Sequence, residues 1–414
     1  MEKGEFDMTS IRRFAVIVFA VLVLASLAFS AGTLHPVIQE FQEIIEEDPV
    51  LFMLFTEMFE QIPSTPEFVL DPSGNPQIRD YREMLHVMNE VLTQAPEFNK
   101  TGLVGFPINA VINWAMGTPA GTIAFLNEKV NQQLKKILNQ WAVFLGSPDS
   151  RYVLSEDPEK GWFGRDALEA MPDFAEDFQC DPDLPYYGFA SWDDFFTRQY
   201  REGRRPVESP DDDSIIANAC ESAPFRIATD VQLQDRFWIK EQPYSLSHML
   251  GGDPMGSLFE GGTIYQAFLS ALSYHRWHSP VSGRIVKTRL IDGSYYAQAL
   301  SAGFDPASPN ESQAYIAQVA SRGLIFIEAD NPAIGLMCIV FIGMAEVSSN
   351  EITVYEGQHV KKGDQLGMFH FGGSTHVLIF RPEVNLEFDL RGQTPGPDSQ
   401  NIPVRAKIAT VQGE

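Results

Sequence analysis

Two short segments of this 414-residue chain carry residue types whose spacing could do chemistry. One is Phe371-Gly372-Gly373-Ser374-Thr375; the other is Tyr274-His275-Arg276-Trp277-His278-Ser279-Pro280. A Gly-Gly-Ser by itself is a turn, and a histidine pair at i, i+3 by itself is structural or metal-binding. Together they suggest a serine that attacks its own backbone. The Ser374 hydroxyl is a weak nucleophile at neutral pH and needs a base within hydrogen-bond reach, which an imidazole supplies. Glycine at 373 lets the backbone adopt strained geometry cheaply. A serine hydrolase is a weaker reading, because no G-x-S-x-G elbow contains Ser374.

Further landmarks fall in a fixed order around these two. They are Ser191-Trp-Asp-Asp-Phe-Phe-Thr-Arg198 with Gly203-Arg-Arg-Pro-Val207, then Tyr244-Ser-Leu246 with Leu250-Gly-Gly252, and later Gly357 to Gly367. From about residue 190 to 414 the chain resembles the phosphatidylserine decarboxylase family. The resemblance implies self-cleavage between Gly373 and Ser374. An N-to-O acyl shift gives an ester, β-elimination leaves dehydroalanine, and hydrolysis releases ammonia and a pyruvoyl group. The products would be a β chain ending at Gly373 and an α chain of 414 − 373 = 41 residues. Such a carbonyl is an electron sink for amine substrates, the work pyridoxal phosphate does elsewhere, so no diffusible cofactor and no metal are expected.

The resemblance also assigns roles. It makes His278, the second histidine, the processing base, and associates His275 with decarboxylation, where an imidazole tunable across neutral pH suits proton transfer. A triad would include a carboxylate orienting that base. The family's Asp sits in a Ser-Pro-Ala-Asp-Gly run. The matching run here is Ala217-Asn218-Ala219-Cys220-Glu221-Ser222, so Cys220 takes the Asp position and Glu221 is the nominated carboxylate. His376 stands where the phospholipid enzymes carry an aliphatic residue, and Trp277 where Phe or Val is common. Both are candidate substrate-pocket residues; a strand-surface position for His376 and core packing for Trp277 are the alternatives. His35, His86, His248, His359 and His370 are not expected to be catalytic.

The elements that must position these residues divide the chain. Arg12-Arg13 precede an apolar run from Phe14 to Phe29, with Ala28 and Ser30 placed for cleavage, so residues 1–31 read as a secretory signal peptide, or as a signal anchor. The expected location is the secretory route. If retained, residues 14–29 would be the means of membrane association. Residues 32–146 read as a helical accessory domain: Leu126, Val130, Leu134, Ile137, Trp141 and Leu145 recur at spacings that share a helix face. This part resembles the amino-terminal domain of a fungal branch of the family, the branch that contains an L-tryptophan decarboxylase. Residues 147–190 read as an acidic connector with short helices. Residues 191–414 form the decarboxylase domain, with β-like runs at Ile325–Ile327, Leu336–Ile342, Ile352–Val354 and Val377–Phe380, and a hairpin rhythm over Gly357–Gly367. The fold class is therefore α+β, helical first and antiparallel β-rich after.

Composition narrows the partners. Hydrophobic content of 44% fits a folded protein, and a net charge of −25 argues against nucleic acid and against charge-driven docking on an anionic membrane. Cys180, Cys220 and Cys338 match no zinc spacing; Cys338 reads as core, and a Cys180–Cys220 disulfide is conceivable in an oxidising lumen. Asn99 and Asn310 head N-x-[ST] sequons. The expected substrate is a free aromatic amino acid such as L-tryptophan, with phosphatidylserine as the alternative. A binding homologue without activity is a third reading, kept open by the altered Asp position.

Overall fold

Proline and side-chain caps punctuate the first third of the chain. Asp48 accepts from the amides of Val50 and Leu51 at 3.1 and 3.4 Å and, with Pro49 behind it, separates helix Pro36–Glu47 from helix Pro49–Glu60. Asp80 starts Tyr81–Val91 in the same way, and Asn127 starts Glu128–Leu145. Helices Pro107–Met116 and Pro119–Leu126 lie between these last two. The long helix buries Val130, Leu134, Ile137, Trp141 and Leu145, the expected face. Leu126 is not on it. The Asn127 cap leaves Leu126 at the end of the preceding helix, 41% exposed.

The computed structural model describes residues 33–100, 106–236, 243–306, 310–346, 349–371 and 374–413. The signal or anchor reading for residues 1–31 and the scissile-bond residue Gly373 lie outside these. Among the described residues no helix is long and apolar enough to cross a membrane.

Residues 147–190 contain short helices, and rings pin them down. Trp162 packs on Trp192 with centroids 4.7 Å apart, and Phe163 stacks on Tyr187 at 3.8 Å. Helix Trp192–Phe196 follows, capped by Ser191.

The strands are β1 (Ile215–Ala217), β2 (Ala223–Ala228), β3 (Thr263–Leu269), β4 (Arg276–His278), β5 (Gly283–Ile291), β6 (Arg322–Ala329) and β7 (Leu336–Gly343). They continue with β8 (Ser349–Ile352), β9 (His359–Val360), β10 (Gln365–His370), β11 (Ser374–Phe380), β12 (Leu386–Phe388) and β13 (Lys407–Val411). Among the described residues three antiparallel sheets result, ordered β2-β3-β11-β7-β6-β5-β9, β4-β10-β8 and β1-β13-β12. The hairpin expected over Gly357–Gly367 does not form. Strand β9 joins β5 in the large sheet, whereas β10 pairs with β4 and β8. All three cysteines are free, so the conceivable Cys180–Cys220 bond is absent, and Cys338 lies in the core.

Strand β11 is buried on both faces, and alternation sorts its side chains. Val377 and Ile379 enter a core with Val340, Ile342, Leu324 and Phe326 on one face. Ser374, His376 and Leu378 face the other way. A carboxylate ties the helices to this sheet: Glu346, three residues past β7, accepts from the amides of Ile108 and Asn109 at the start of helix Pro107–Met116, both at 2.8 Å. Burial pushes the Glu346 carboxyl up to about 8.

Candidate active site

Ser374 opens β11, an interior strand of the seven-stranded sheet, directly between Leu269 of β3 and Gly343 of β7. It is fully buried, and its hydroxyl has no hydrogen-bond partner among the described residues. Buried polar atoms are usually paired, so an orphaned hydroxyl at this position asks for an explanation. A serine held for chemistry on its own backbone is one, and the atom fits a pyruvoyl precursor.

The layer on the Ser374 face contains two other expected residues. His376 is two positions on and equally buried, with neither ring nitrogen hydrogen-bonded among the described residues. Burial drives its pKa down to about 3. It leans on Phe341, centroids 6.5 Å apart, and Trp277 lies flat on the other side of this cluster, 3.9 Å from Phe341 with 4° between planes. Trp277 and His376 are thus brought into the Ser374 layer, but as a closed aromatic stack rather than an open pocket wall. The packing is tight: a Cβ on Gly367 would lie 2.7 Å from the Trp277 ring. The strand-surface alternative for His376 is excluded by its burial.

The two histidines have different surroundings. His275 is buried, its ring stacked on Phe196 at 4.0 Å, and its carbonyl accepts from the Phe369 amide at 2.9 Å. His278 pairs with Gln365, further back along β10. Its Nε2 meets the Tyr274 hydroxyl at 3.0 Å, and its Nδ1 lies 2.9 Å from the Gly363 carbonyl and 3.1 Å from Arg405 Nη2. Burial and the Arg405 charge lower its pKa to about 3, so the ring is neutral and a weaker base than a free imidazole, and no hydrogen bond joins it to the Ser374 hydroxyl.

Glu221 does not reach this histidine. Its oxygens take a fork from Arg205 at 3.0–3.2 Å and the Val404 amide at 2.8 Å. The group against Nδ1 is a main-chain carbonyl instead of a carboxylate. Cys220, at the family's Asp position, is fully buried, which raises its thiol pKa well above the usual value. It therefore cannot supply the missing charge.

Several contributors carried no signal as chemistry. Tyr274, Gly363 and Arg405 surround His278. His370, set aside as non-catalytic, sits between Asp193 (2.9 Å) and Glu351 (2.8 Å). Burial opposes its charge, but the two carboxylates outweigh that and push it up to about 9. Phe371 follows with φ 41°, a left-handed backbone that a bulky residue adopts at a cost of about 1–3 kcal/mol. Asp193 lies within the Ser191–Arg198 motif, the one clue to this cluster.

A cleft touches β3 on the face opposite the Ser374 side chain. It measures about 290 Å³ and is lined by Phe225, Phe268, Ser270, Gln313, Asn310 and Asn401, among others. Phe268 is directly opposite Thr375.

Comparison with known proteins places the chain in a family. Two family models, both described as phosphatidylserine decarboxylase, match residues 35–171 and 192–396. An L-tryptophan decarboxylase of Psilocybe cubensis is 41% identical over 388 residues, 88% of this chain and 84% of that protein. A decarboxylase named iboD from Amanita muscaria is 44% identical over 302 residues, 69% and 86% of the two chains. A phosphatidylserine decarboxylase proenzyme 3 of Schizosaccharomyces pombe is 31% identical over 202 residues, 49% of this chain but 20% of that one.

Proposed function

The chain belongs to the phosphatidylserine decarboxylase family and is a decarboxylase, and on that premise we propose that it matures by cutting itself at Gly373-Ser374 and acts on a free aromatic amino acid. The observation that carries the substrate is the match to the Psilocybe cubensis L-tryptophan decarboxylase, which runs through the helical region as well as the sheets. The two phenylalanines and four side-chain amides (Asn310, Gln313, Gln400 and Asn401) of the 290 Å³ cleft suit a planar side chain with polar ends.

In this reading Ser374 Oγ attacks the carbonyl carbon of residue 373 and its proton passes to His278 Nε2, the nitrogen opposite the Gly363-facing Nδ1. The two side chains are not hydrogen-bonded in this structure, so Nε2 has to leave the Tyr274 hydroxyl and come within reach of Ser374 for that step. The pyruvoyl group made from Ser374 would supply the electron sink for loss of carbon dioxide. The full burial of Ser374 shields the ester from bulk water, and the one water consumed in turning dehydroalanine into pyruvoyl has to enter after the cut. His275 serves the decarboxylation step, held in place by Phe196.

Two measurements test this. Intact mass of the purified protein should show a 41-residue chain starting with pyruvoyl. Carbon dioxide release should be seen with L-tryptophan, without detergent or vesicles and unaffected by pyridoxal phosphate. Turnover of phosphatidylserine in vesicles, with none on any free amino acid, would transfer the chain to the phospholipid reaction. A single uncut chain from an active preparation would remove the self-cleavage.

A further inference from the structure

Among its described residues the helical region holds no group of His, Cys, Asp and Glu that could bind a metal, yet one of its side chains reaches Phe371, just before the scissile bond. Trp141 is 1% exposed on helix Glu128–Leu145, and its Nε1 donates to the Gln94 carbonyl at 2.8 Å, which fixes the ring. The indole meets Phe371 edge-on, centroids 4.7 Å apart and planes at 87°. Trp192 and Phe196 close on the same phenyl ring at 5.9 and 5.7 Å. Phe371 is the residue with φ 41°, three before Ser374.

A bulky residue stays in that conformation only where its surroundings over-determine it. Here the surroundings are an indole from the helical region and two rings from helix Trp192–Phe196. Directly upstream, His370 is clamped by Asp193 and Glu351. We propose that the helical region is part of the maturation machinery. Trp141 is a positioning residue that holds Phe371 left-handed and so presents the bond before Ser374 to attack. The inference rests on the self-cleavage reading and gives the accessory region a task within it.

Pulse–chase translation of the full chain, following precursor into two chains on a gel, tests it. Trp141→Ala and Phe371→Ala should each slow cleavage roughly 10- to 100-fold, since small misplacements of reacting atoms cost that much. Trp141→Phe keeps an edge-on ring and should stay within about threefold of wild type, and the double alanine variant should be no slower than the slower single one, because both remove one contact. Once cleaved, Trp141→Ala should decarboxylate at the wild-type rate per mature chain. Wild-type cleavage in Trp141→Ala would overturn the proposal. So would slowing that multiplies in the double variant. If Trp141→Ala fails to fold, Phe371→Ala decides alone, and its normal cleavage sinks the idea. A wild-type chain that never cleaves removes the parent reading, and this one with it.

Discussion

The chain is held in two different ways on either side of residues 372–373. Downstream, β11 is gripped by its backbone: Ser374 to Phe380 pair residue for residue with β3 on one side and β7 on the other. Upstream, the end of β10 and Phe371 are gripped by side chains, through the His370 ion pairs and the rings around Phe371. A double ladder is indifferent to pH and tolerant of sequence. A side-chain grip can be loosened by a single substitution or a proton. On the self-cleavage reading, the half that must distort is held adjustably, and the half that must stay is held by the sheet.

The largest test of this contrast removes the atom at its centre. Ser374→Ala should give one uncut chain by intact mass and no decarboxylation. Next come the histidines, where loss of a proton-transfer group costs about 10²- to 10⁴-fold. His278→Ala should block cleavage, whereas His275→Ala should still cleave and lose decarboxylation. Normal processing by both variants would show the roles to be misassigned. On the upstream grip, His370→Gln keeps size but not charge and should slow cleavage, by less than either histidine variant. Raising the pH through 9 should slow the wild type similarly, since His370 gives up its proton there.

Melting temperature against pH reads the same groups. His278 and His376 are depressed from 6.5 to about 3, so the stability they confer is present above 6.5 and falls away as pH drops toward 3. Glu346 and His370 are raised, from 4.5 to about 8 and from 6.5 to about 9. Their contributions are full below the lower value and are lost as pH rises through the upper one. Stability should peak near pH 6.5, and Glu346→Gln should make the alkaline limb shallower. A peak well above 8 would contradict these assignments. The smallest effect belongs to the downstream ladder: Ile379→Val should cost about 0.5–1.5 kcal/mol of stability and leave the cleavage rate unchanged.

Much of this was legible in the residues. The β runs at 325–327, 336–342 and 377–380 all became strands, because continuous apolar stretches in a sheet buried on both faces leave few alternatives. The long helix showed its face through its period, and missed only Leu126, where a side-chain cap intervened. What was hidden shares a cause. The partner of His278 Nδ1 is a main-chain carbonyl, which every residue type possesses, so no motif reveals it. Glu221 was nominated by proximity in sequence, but Arg205 and Val404 claim it in space. His370 gains its meaning from carboxylates 177 and 19 residues away. The Gly357–Gly367 rhythm looked like a hairpin because turn chemistry is local, whereas the choice of sheet is not.

The position of β11 has a further consequence for how the protein dies. A chain broken before Ser374 keeps the interior strand β11, together with β12 and β13, as a separate 41-residue piece, with β11 woven between β3 and β7. The precursor folds as one molecule, but the cut protein could recover only if two strangers met again and the smaller one threaded back into the middle of a sheet. Its lifetime is then a matter of rate rather than equilibrium. It should persist while folded, and heating should destroy it once and for all.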